Sequence, residues 1–528
     1  MPLGALGLLI LSAALFALAP TSAAPQEVSG PLIPPGRLRI EVNTLYLYAD
    51  TRFGERTEGG TLIEEEELLG FDFSDAAVGT RLLPGLEALE RSLETATGGP
   101  VAPLVLGSTR AVVTRDAVWL PIRIDIGVFD WLSVGGMVPF SRRRAEVAWT
   151  FRGDGANAGL TPSVSDPTAV GDFLGGLAIA EAALEALADD LCSSDPAASG
   201  CIEASLLFAE GQEFRQALIG ALTSQGVFPL DGTVTGDALQ SRVQALMDAH
   251  QTLGVSFPAS VPLATQLLTE DEYGRLVTEP GYGVVGAPFG SWRSPWEMGD
   301  VDLYANVRLW GSTPGGEKGE PPSGPSYRVG AGALVRLATG RTDSPDNFVD
   351  TGSGDGQQDL EVSLFGGWSK GRLGLWGEVR YGLAASTLVA RRIAAPDRVF
   401  APLAARQVVR WTPGNYFHLR LTSRFHLTDE MAIALDVRTF SKRADTYESL
   451  VADEGVPSPL DVELLELETE QNVLAAGVGI VYSTLRSGRG RPMEARFLFR
   501  RSVSGSGGLT PKTARIEFGL RLFRGVWN

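Results

Sequence analysis

Near the end of the chain, Ile516, Phe518, Leu520 and Leu522 alternate with Arg515, Glu517, Gly519 and Arg521. Successive side chains of an extended strand point to opposite faces, so this segment reads as a strand lying between an apolar and a polar medium. One such strand could belong to a soluble sandwich or to a barrel with lipid outside and water inside. The alternation recurs along the chain and predicts twelve strands. Examples are Leu38, Ile40 and Val42 at the start, Ile122, Ile124, Ile126 and Val128 next, Leu303, Ala305 and Val307 in the middle, and Met493, Ala495, Phe497 and Phe499 near the end.

In these cores every charged residue falls on a single parity. In chain order that parity carries Arg39 and Glu41, then Arg123 and Asp125, Asp302 and Arg308, Arg328 and Arg336, and Glu361. It continues with Glu378 and Arg380, Arg420 and Arg424, Asp436 and Arg438, Glu494, Arg496 and Arg500, and Arg515, Glu517 and Arg521. A lipid-facing surface imposes this separation, because a cation at the bilayer midplane costs about 2–4 kcal/mol. The expected fold is therefore all-β: a transmembrane, antiparallel, up-and-down β-barrel of about twelve strands, with the charged residues lining its lumen. Tyr327, Trp368 and Tyr482 fall on the apolar parity near strand ends, where an interfacial aromatic girdle belongs.

Connection lengths agree with this topology. The turns Phe129–Trp131, Lys370–Gly371, Thr428–Asp429 and Arg486–Arg491 are short, and the connections between them, at about 51–108, 153–298, 340–357, 389–405, 441–465 and 501–511, are long. Short periplasmic turns and long extracellular loops give this alternation when the first strand rises from the periplasm. The Gly/Pro-rich stretch from Gly311 to Pro325 departs from it.

The N-terminal run Leu3–Leu18, followed by Pro20, Thr21, Ser22, Ala23 and Ala24, has the form of a signal peptide cleaved near Ala24, although no Lys or Arg precedes its apolar core. Beyond it no window of about eighteen apolar residues occurs, so only strands could cross a membrane. A net charge of −18 argues against a nucleic-acid partner. The two cysteines, Cys192 and Cys201, are expected to form one local disulfide in an oxidising compartment.

Between Gly171 and Leu276 the apolar period becomes helical. Leu184, Leu187 and Leu191 share one face, Leu206, Phe214, Leu218 and Leu222 share another, and a third helix is expected after Thr235 with Leu239, Val243 and Leu246. A shorter helix is expected over Leu82–Leu93. The resulting organisation is a signal peptide over 1–24, the first three strands and a long first outer loop over 25–170, a helical insertion in the second outer loop over 171–276, and the remaining strands over 277–528. The helices are expected to pack on one another as a small bundle that caps the barrel, with a lumen plug as the alternative.

Three histidines leave little room for catalysis or metal binding. His418 and His426 share a strand face but stand roughly 26 Å apart at strand rise, and no Ser/His/Asp pattern accompanies them. No catalytic residue, metal site or cofactor is expected. Glu64–Glu67 and the acidic residues of Asp343–Asp359 lack EF-hand spacing and read as solvated loops.

Two segments carry a family resemblance: Ile122–Phe140 (IRIDIGVFDWLSVGGMVPF) and Leu337–Leu364 (LATGRTDSPDNFVDTGSGDGQQDLEVSL). They resemble a hairpin and a Pro-Thr-Gly, Gly-Thr-Gly and strand pattern of the outer-membrane transporter family associated with the meta-cleavage pathway of phenol degradation. Ala338 stands where Pro is usual, and Asp350 precedes Thr351-Gly352. The resemblance spans the barrel portions but not the helical insertion, and implies passive uptake of small, often hydrophobic or aromatic molecules.

The expected function is thus an outer-membrane channel for small solutes in a Gram-negative-type bacterium. Its expected partners are outer-membrane lipid and lipopolysaccharide, the barrel-assembly machinery and a small-molecule solute. Inward Arg outnumber inward acids thirteen to eight in the strand cores, which favours anionic solutes. The alternative is a barrel that anchors a structural or adhesive surface protein without transport.

Overall fold

The computed structural model describes residues 30–526 apart from 59–60, 224–225, 313–324, 451–459 and 489. The expected signal peptide, most of the 311–325 connection and Trp527 lie outside the described residues. Twelve long strands are present: β1 (Arg37–Ala49), β2 (Ser108–Phe129), β3 (Leu132–Arg152), β4 (Val301–Ser312), β5 (Ser326–Leu337) and β6 (Asp359–Lys370), followed by β7 (Leu373–Ala384), β8 (Tyr416–His426), β9 (Met431–Lys442), β10 (Gln471–Ser483), β11 (Met493–Ser506) and β12 (Ala514–Gly525). Each pairs antiparallel with its neighbours in sequence, and β1 pairs with both β2 and β12: Val42 stands opposite Ile122 on one side and Leu520 on the other. The sheet therefore closes without an edge, which is the condition for strands to cross a bilayer with every backbone group paired.

Twelve-residue strands such as β6 and β7 reach about 40 Å at strand rise, enough to span a bilayer core when tilted by about 45°. Their apolar parity is turned outward. Leu303, Leu364, Leu375 and Leu435 are all more than half exposed, as lipid-facing residues are in a protein without its lipid. Trp310, Tyr327 and Trp368 flank the end with the short turns, where Phe129 stacks on Trp131 at 5.6 Å, while Tyr381 and Phe417 lie toward the other end. The end with short turns is termed inner here, and the end with long loops outer.

β2 and β3, of 22 and 21 residues, stay paired as far as Ser108 opposite Arg152 and so rise well past the other strands. Their upper halves form one wall of an outer lobe. The lobe holds the helices α1 (Leu86–Thr97), α2 (Pro167–Ser194), α3 (Ser199–Thr223), α4 (Val234–Thr252) and α5 (Glu270–Thr278). α1 starts four residues after the expected Leu82 because Pro84 disfavours helical geometry at Leu83; it ends on Gly98 at φ 74°, which a residue without Cβ adopts readily. The side chains of Asp166, Thr233 and Thr269 cap α2, α4 and α5 through the backbone N–H groups of Ala169, Gly236 and Glu272.

The packing differs from a bundle closed within the second loop. Leu89 and Leu93 of α1, in the first loop, lie in one core with Phe214 and Leu218 of α3, Leu239 and Val243 of α4, and Tyr273 of α5. Phe73, Phe151 and Phe400 complete this core from three further segments. A hydrophobic stripe read from one segment shows that it must be covered, not which segment covers it, and here several outer loops share one interior. The disulfide expected between Cys192 and Cys201 is present and ties the end of α2 to the start of α3, with Cα atoms 4.9 Å apart.

Candidate functional site

The charged parity of every strand turns into the barrel, where burial favours pairing of the charges. One wall, from β8 round to β1, carries a continuous ion-pair network. Asp436 accepts from Arg420, Arg438 and Arg500 at 2.8–2.9 Å. Glu494 bridges Arg424 at 2.9 Å and Arg521 at 3.0 Å, Glu41 bridges Arg521 at 2.8 Å and Arg496 at 3.0 Å, and Glu517 meets Arg496 at 2.7 Å. On the opposite wall Arg336 pairs with Asp302 at 2.9 Å, and Arg380 pairs with Glu378 at 3.0 Å and Glu361 at 3.2 Å. Arg39 and Asp125 form a separate buried pair.

The other inward arginines behave differently. Arg123 lies over the ring of Tyr304, 4.9 Å from its centroid. Arg515 stands opposite Arg500 in the register of β12 and β11. Arg328 lines the lumen cavity, and Arg308 sits at the inner rim, where its backbone N–H donates to Trp131. Four further lumen residues lie outside the set expected from the strand cores: Asp359, Tyr304, Trp376 and Tyr416. Strand parity places all of them inward; Asp359 stands one residue before the apolar alternation that starts at Leu360, and the other three carry no charge to mark them. Tyr416 donates to Glu361 at 2.9 Å, Tyr304 donates to Asp125 at 2.7 Å, and Asp359 accepts from Arg336 at 3.3 Å.

The two walls differ in bulk. β5, β6 and β7 present Ser326, Ser363, Gly367, Ser369 and Gly374 to the lumen, and the space they leave is a cavity of about 190 Å³. Arg328, Arg420, Arg424 and Trp376 border it, with the Arg420 guanidinium 5.3 Å from the Trp376 ring centroid. Gly30 and Pro31, which precede β1, also line it, as do Arg123, Tyr304, Glu361 and Glu378.

The segment that carries part of the family resemblance has a structural explanation. Asp300 accepts hydrogen bonds from the backbone N–H groups of Thr339, Gly340 and Asp355, and Ser353 Oγ accepts from Arg341 N and donates to Met298 O. A Cβ on Gly354 would lie 2.4 Å from Asp300 Oδ2, so the glycine permits this clasp between the third outer loop and the start of β4. The acidic loops are largely engaged: Glu67 and Asp72 clamp Arg52, while Asp343, Asp346 and Asp350 pair with Arg391, Arg392 and Arg341. No cluster of three potential metal ligands occurs among the described residues. His250 is buried in α4, where its Nδ1 meets Leu246 O at 2.7 Å; His418 faces the lumen and His426 lies at the inner end of β8.

No family model matches the sequence, and no curated protein matches it. The fold is similar to that of solved outer-membrane proteins. An outer-membrane channel from Pseudomonas putida F1 is 8% identical and aligns over 94% of this chain and 100% of its own, with a TM-score of 0.40. The translocator domain of the autotransporter NalP from Neisseria meningitidis is 8% identical over 98% and 94% at a TM-score of 0.28, and the toluene transporter TbuX from Ralstonia pickettii is 10% identical over 93% and 90% at 0.27. The closed strand pairing of this chain, rather than these likenesses, defines it as a twelve-stranded antiparallel barrel of the outer-membrane type.

Proposed function

We propose that the protein is an outer-membrane channel for passive passage of small solutes, with a preference for anionic or aromatic ones. The observation that carries this reading is the cavity itself: a closed barrel holds an open space bounded by Arg328, Arg420, Arg424 and Trp376. Guanidinium groups on a lumen wall attract carboxylates, and an indole face accepts a flat apolar ring. The preference for small hydrophobic or aromatic solutes implied by the family resemblance agrees with Trp376. A barrel with an outward apolar belt suits the outer membrane of a Gram-negative-type bacterium, with lipid and lipopolysaccharide around it and the barrel-assembly machinery as its insertion route. Single-channel recording in a planar bilayer tests this directly. Discrete current steps with a reversal potential displaced toward anions are expected; a barrel that inserts and carries no current would overturn it.

A second reading is favoured by the ion-pair network. Asp436, Glu494, Glu41 and Glu517 are each held by two or three arginines, a wall rigid enough to serve as a scaffold. On this reading the barrel anchors the outer lobe at the cell surface as a structural or adhesive element. Absence of current together with cell-surface binding by the intact lobe would select it.

A further inference from the structure

The outward face of β3 changes character along its length. Leu132, Val134, Val138 and Phe140 are apolar, and the next residues on that face are Arg142, Arg144 and Glu146. Arg142 lies ten residues beyond Leu132, about 34 Å along an extended strand, and a tilt of about 45° reduces that rise to about 24 Å along the membrane normal. The apolar band of an outer-membrane barrel is about 25 Å tall, so Arg142 stands where hydrocarbon ends and the headgroups of the outer leaflet begin. The neighbouring strands agree. Tyr46 and Tyr48 of β1, both more than a third exposed, pair with Val118 and Asp116 of β2, which pair in turn with Arg142 and Arg144. Tyrosines on the lipid side belong at such an interface.

A second segment brings another arginine to the same place. Trp292–Arg293 and Glu297–Met298 run beside β3, with Arg293 opposite Arg144 and Met298 opposite Phe140. Residues directly opposite in a sheet share a face, so Arg293 points outward with Arg144, and Arg142 is its diagonal neighbour at about 7–8 Å. Like charges in these positions repel unless an anion offsets them. Arg144 has Asp116 at 2.9 Å and Glu146 at 2.6 Å. Arg142 and Arg293 are exposed, and among the described residues neither has a carboxylate within ion-pair distance. The contrast with the outer loops is sharp, since Arg52, Arg341, Arg391 and Arg392 each hold a carboxylate there. Between the two short pairings Trp296 is 46% exposed, an aromatic of the interfacial kind.

We propose that Arg142, Arg144 and Arg293 bind a phosphate of the phosphorylated, acylated glucosamine disaccharide that anchors lipopolysaccharide, with Trp296 and Tyr46 beside its acyl chains. Guanidinium groups meet phosphate oxygens in a bidentate fork, and the outward residues below the site are apolar, as acyl chains require. The charge matches as well: a phosphomonoester carries about −1.5 to −2 at pH 7, against two arginines without a carboxylate, whereas the phosphodiester of a phospholipid carries a single charge. The proposal takes its outer-membrane setting from the reading above and is independent of conduction.

The test uses the full-length protein folded in detergent micelles, with closure of the barrel checked by its heat-dependent gel shift. Diphosphoryl lipid A is titrated in, and bound lipid is counted by native mass spectrometry. Arg142→Gln with Arg293→Gln is expected to weaken binding by about tenfold or more, as two charge-assisted contacts are lost. Arg110→Gln with Arg152→Gln, the same change of charge farther out on β2 and β3, is expected to leave it unaltered. Lipid A stripped of its phosphates should bind the wild-type protein no better than diphosphoryl lipid A binds the first variant. If that variant does not fold, Arg293→Gln alone, which lies outside the twelve strands, is expected to weaken binding by about threefold. An unchanged affinity in either folded variant would overturn the site, and so would equal losses in the two double variants. Phosphatidylglycerol bound as tightly as lipid A would make the patch a surface for any anionic lipid and overturn the assignment. Loss of the lipid A effect in a barrel that conducts fails the site and spares the channel reading, while an intact effect in a barrel without current does the reverse.

Discussion

Arg39 and Asp125 face each other directly in the register of β1 and β2, with Nε and Oδ2 2.9 Å apart and each side chain 1% exposed. Asp125 also accepts from Tyr304 over Gly135 of the intervening β3, so one carboxylate joins the second and fourth strands to the first. Removing one member of such a pair strands a buried charge, at a cost of about 3–5 kcal/mol, whereas replacing both with apolar residues of similar size is often neutral. Arg39→Met alone should therefore lower the temperature of the barrel's gel-shift transition, and Arg39→Met with Asp125→Leu should recover most of the loss. Equal losses in the single and double variants would show that the pair adds nothing beyond packing.

Arg420 and Arg424 border the cavity, and each has a carboxylate that keeps another arginine if it is neutralised. Asp436 retains Arg438 and Arg500, and Glu494 retains Arg521. Arg420→Gln with Arg424→Gln should leave the barrel folded and move the reversal potential in a salt gradient toward cations. A reversal potential that stays put in a conducting variant would assign these two side chains to scaffolding.

Leu89 is fully buried where the first-loop helix meets α3 and α4. Leu89→Ala should weaken the outer lobe by about 2–5 kcal/mol, the usual range for truncating a buried leucine. Faster thermolysin cleavage within the lobe, with the barrel's gel-shift transition unaltered, is the expected outcome. For the same reason, excising 171–276 should leave a barrel that inserts but whose first loop is protease-sensitive, since Leu86, Leu89 and Leu93 would lose their cover.

Acid should loosen the same lobe through His250. Burial holds its pKa below the ordinary 6.5, against smaller upward pulls from the Leu246 carbonyl and from Glu210. A base whose folded pKa is lowered stabilises the fold above its unfolded pKa, and that contribution is lost as pH falls through the folded value. Protease resistance of the lobe should accordingly drop as pH falls below about 6.5, the unfolded histidine value, and His250→Phe should flatten that dependence. A variant with the wild-type pH profile would place the titrating group elsewhere.

The barrel was legible in the sequence because its two solvents are so unlike. Lipid outside Leu364 and Leu435 and a polar lumen beside Glu361 and Asp436 impose a period of two on every strand, and local reading recovers that period. The same parity places Arg420 or Glu494 inside, and the spacing of Cys192 and Cys201 anticipated their disulfide. What the period cannot carry is which inward residues meet. Asp436 gathers Arg420, Arg438 and Arg500 because strand register and shear bring three strands level, and those are properties of the closed sheet. The shared core of the outer lobe was hidden likewise, since an apolar stripe on α1 is equally compatible with cover from its own loop or another. Gly30–Gly36 shows the limit most plainly. Its glycines and prolines carry no periodicity, and its place follows from Ser133, Gly127 and Trp376, residues about a hundred or more positions away that only the folded chain brings to it.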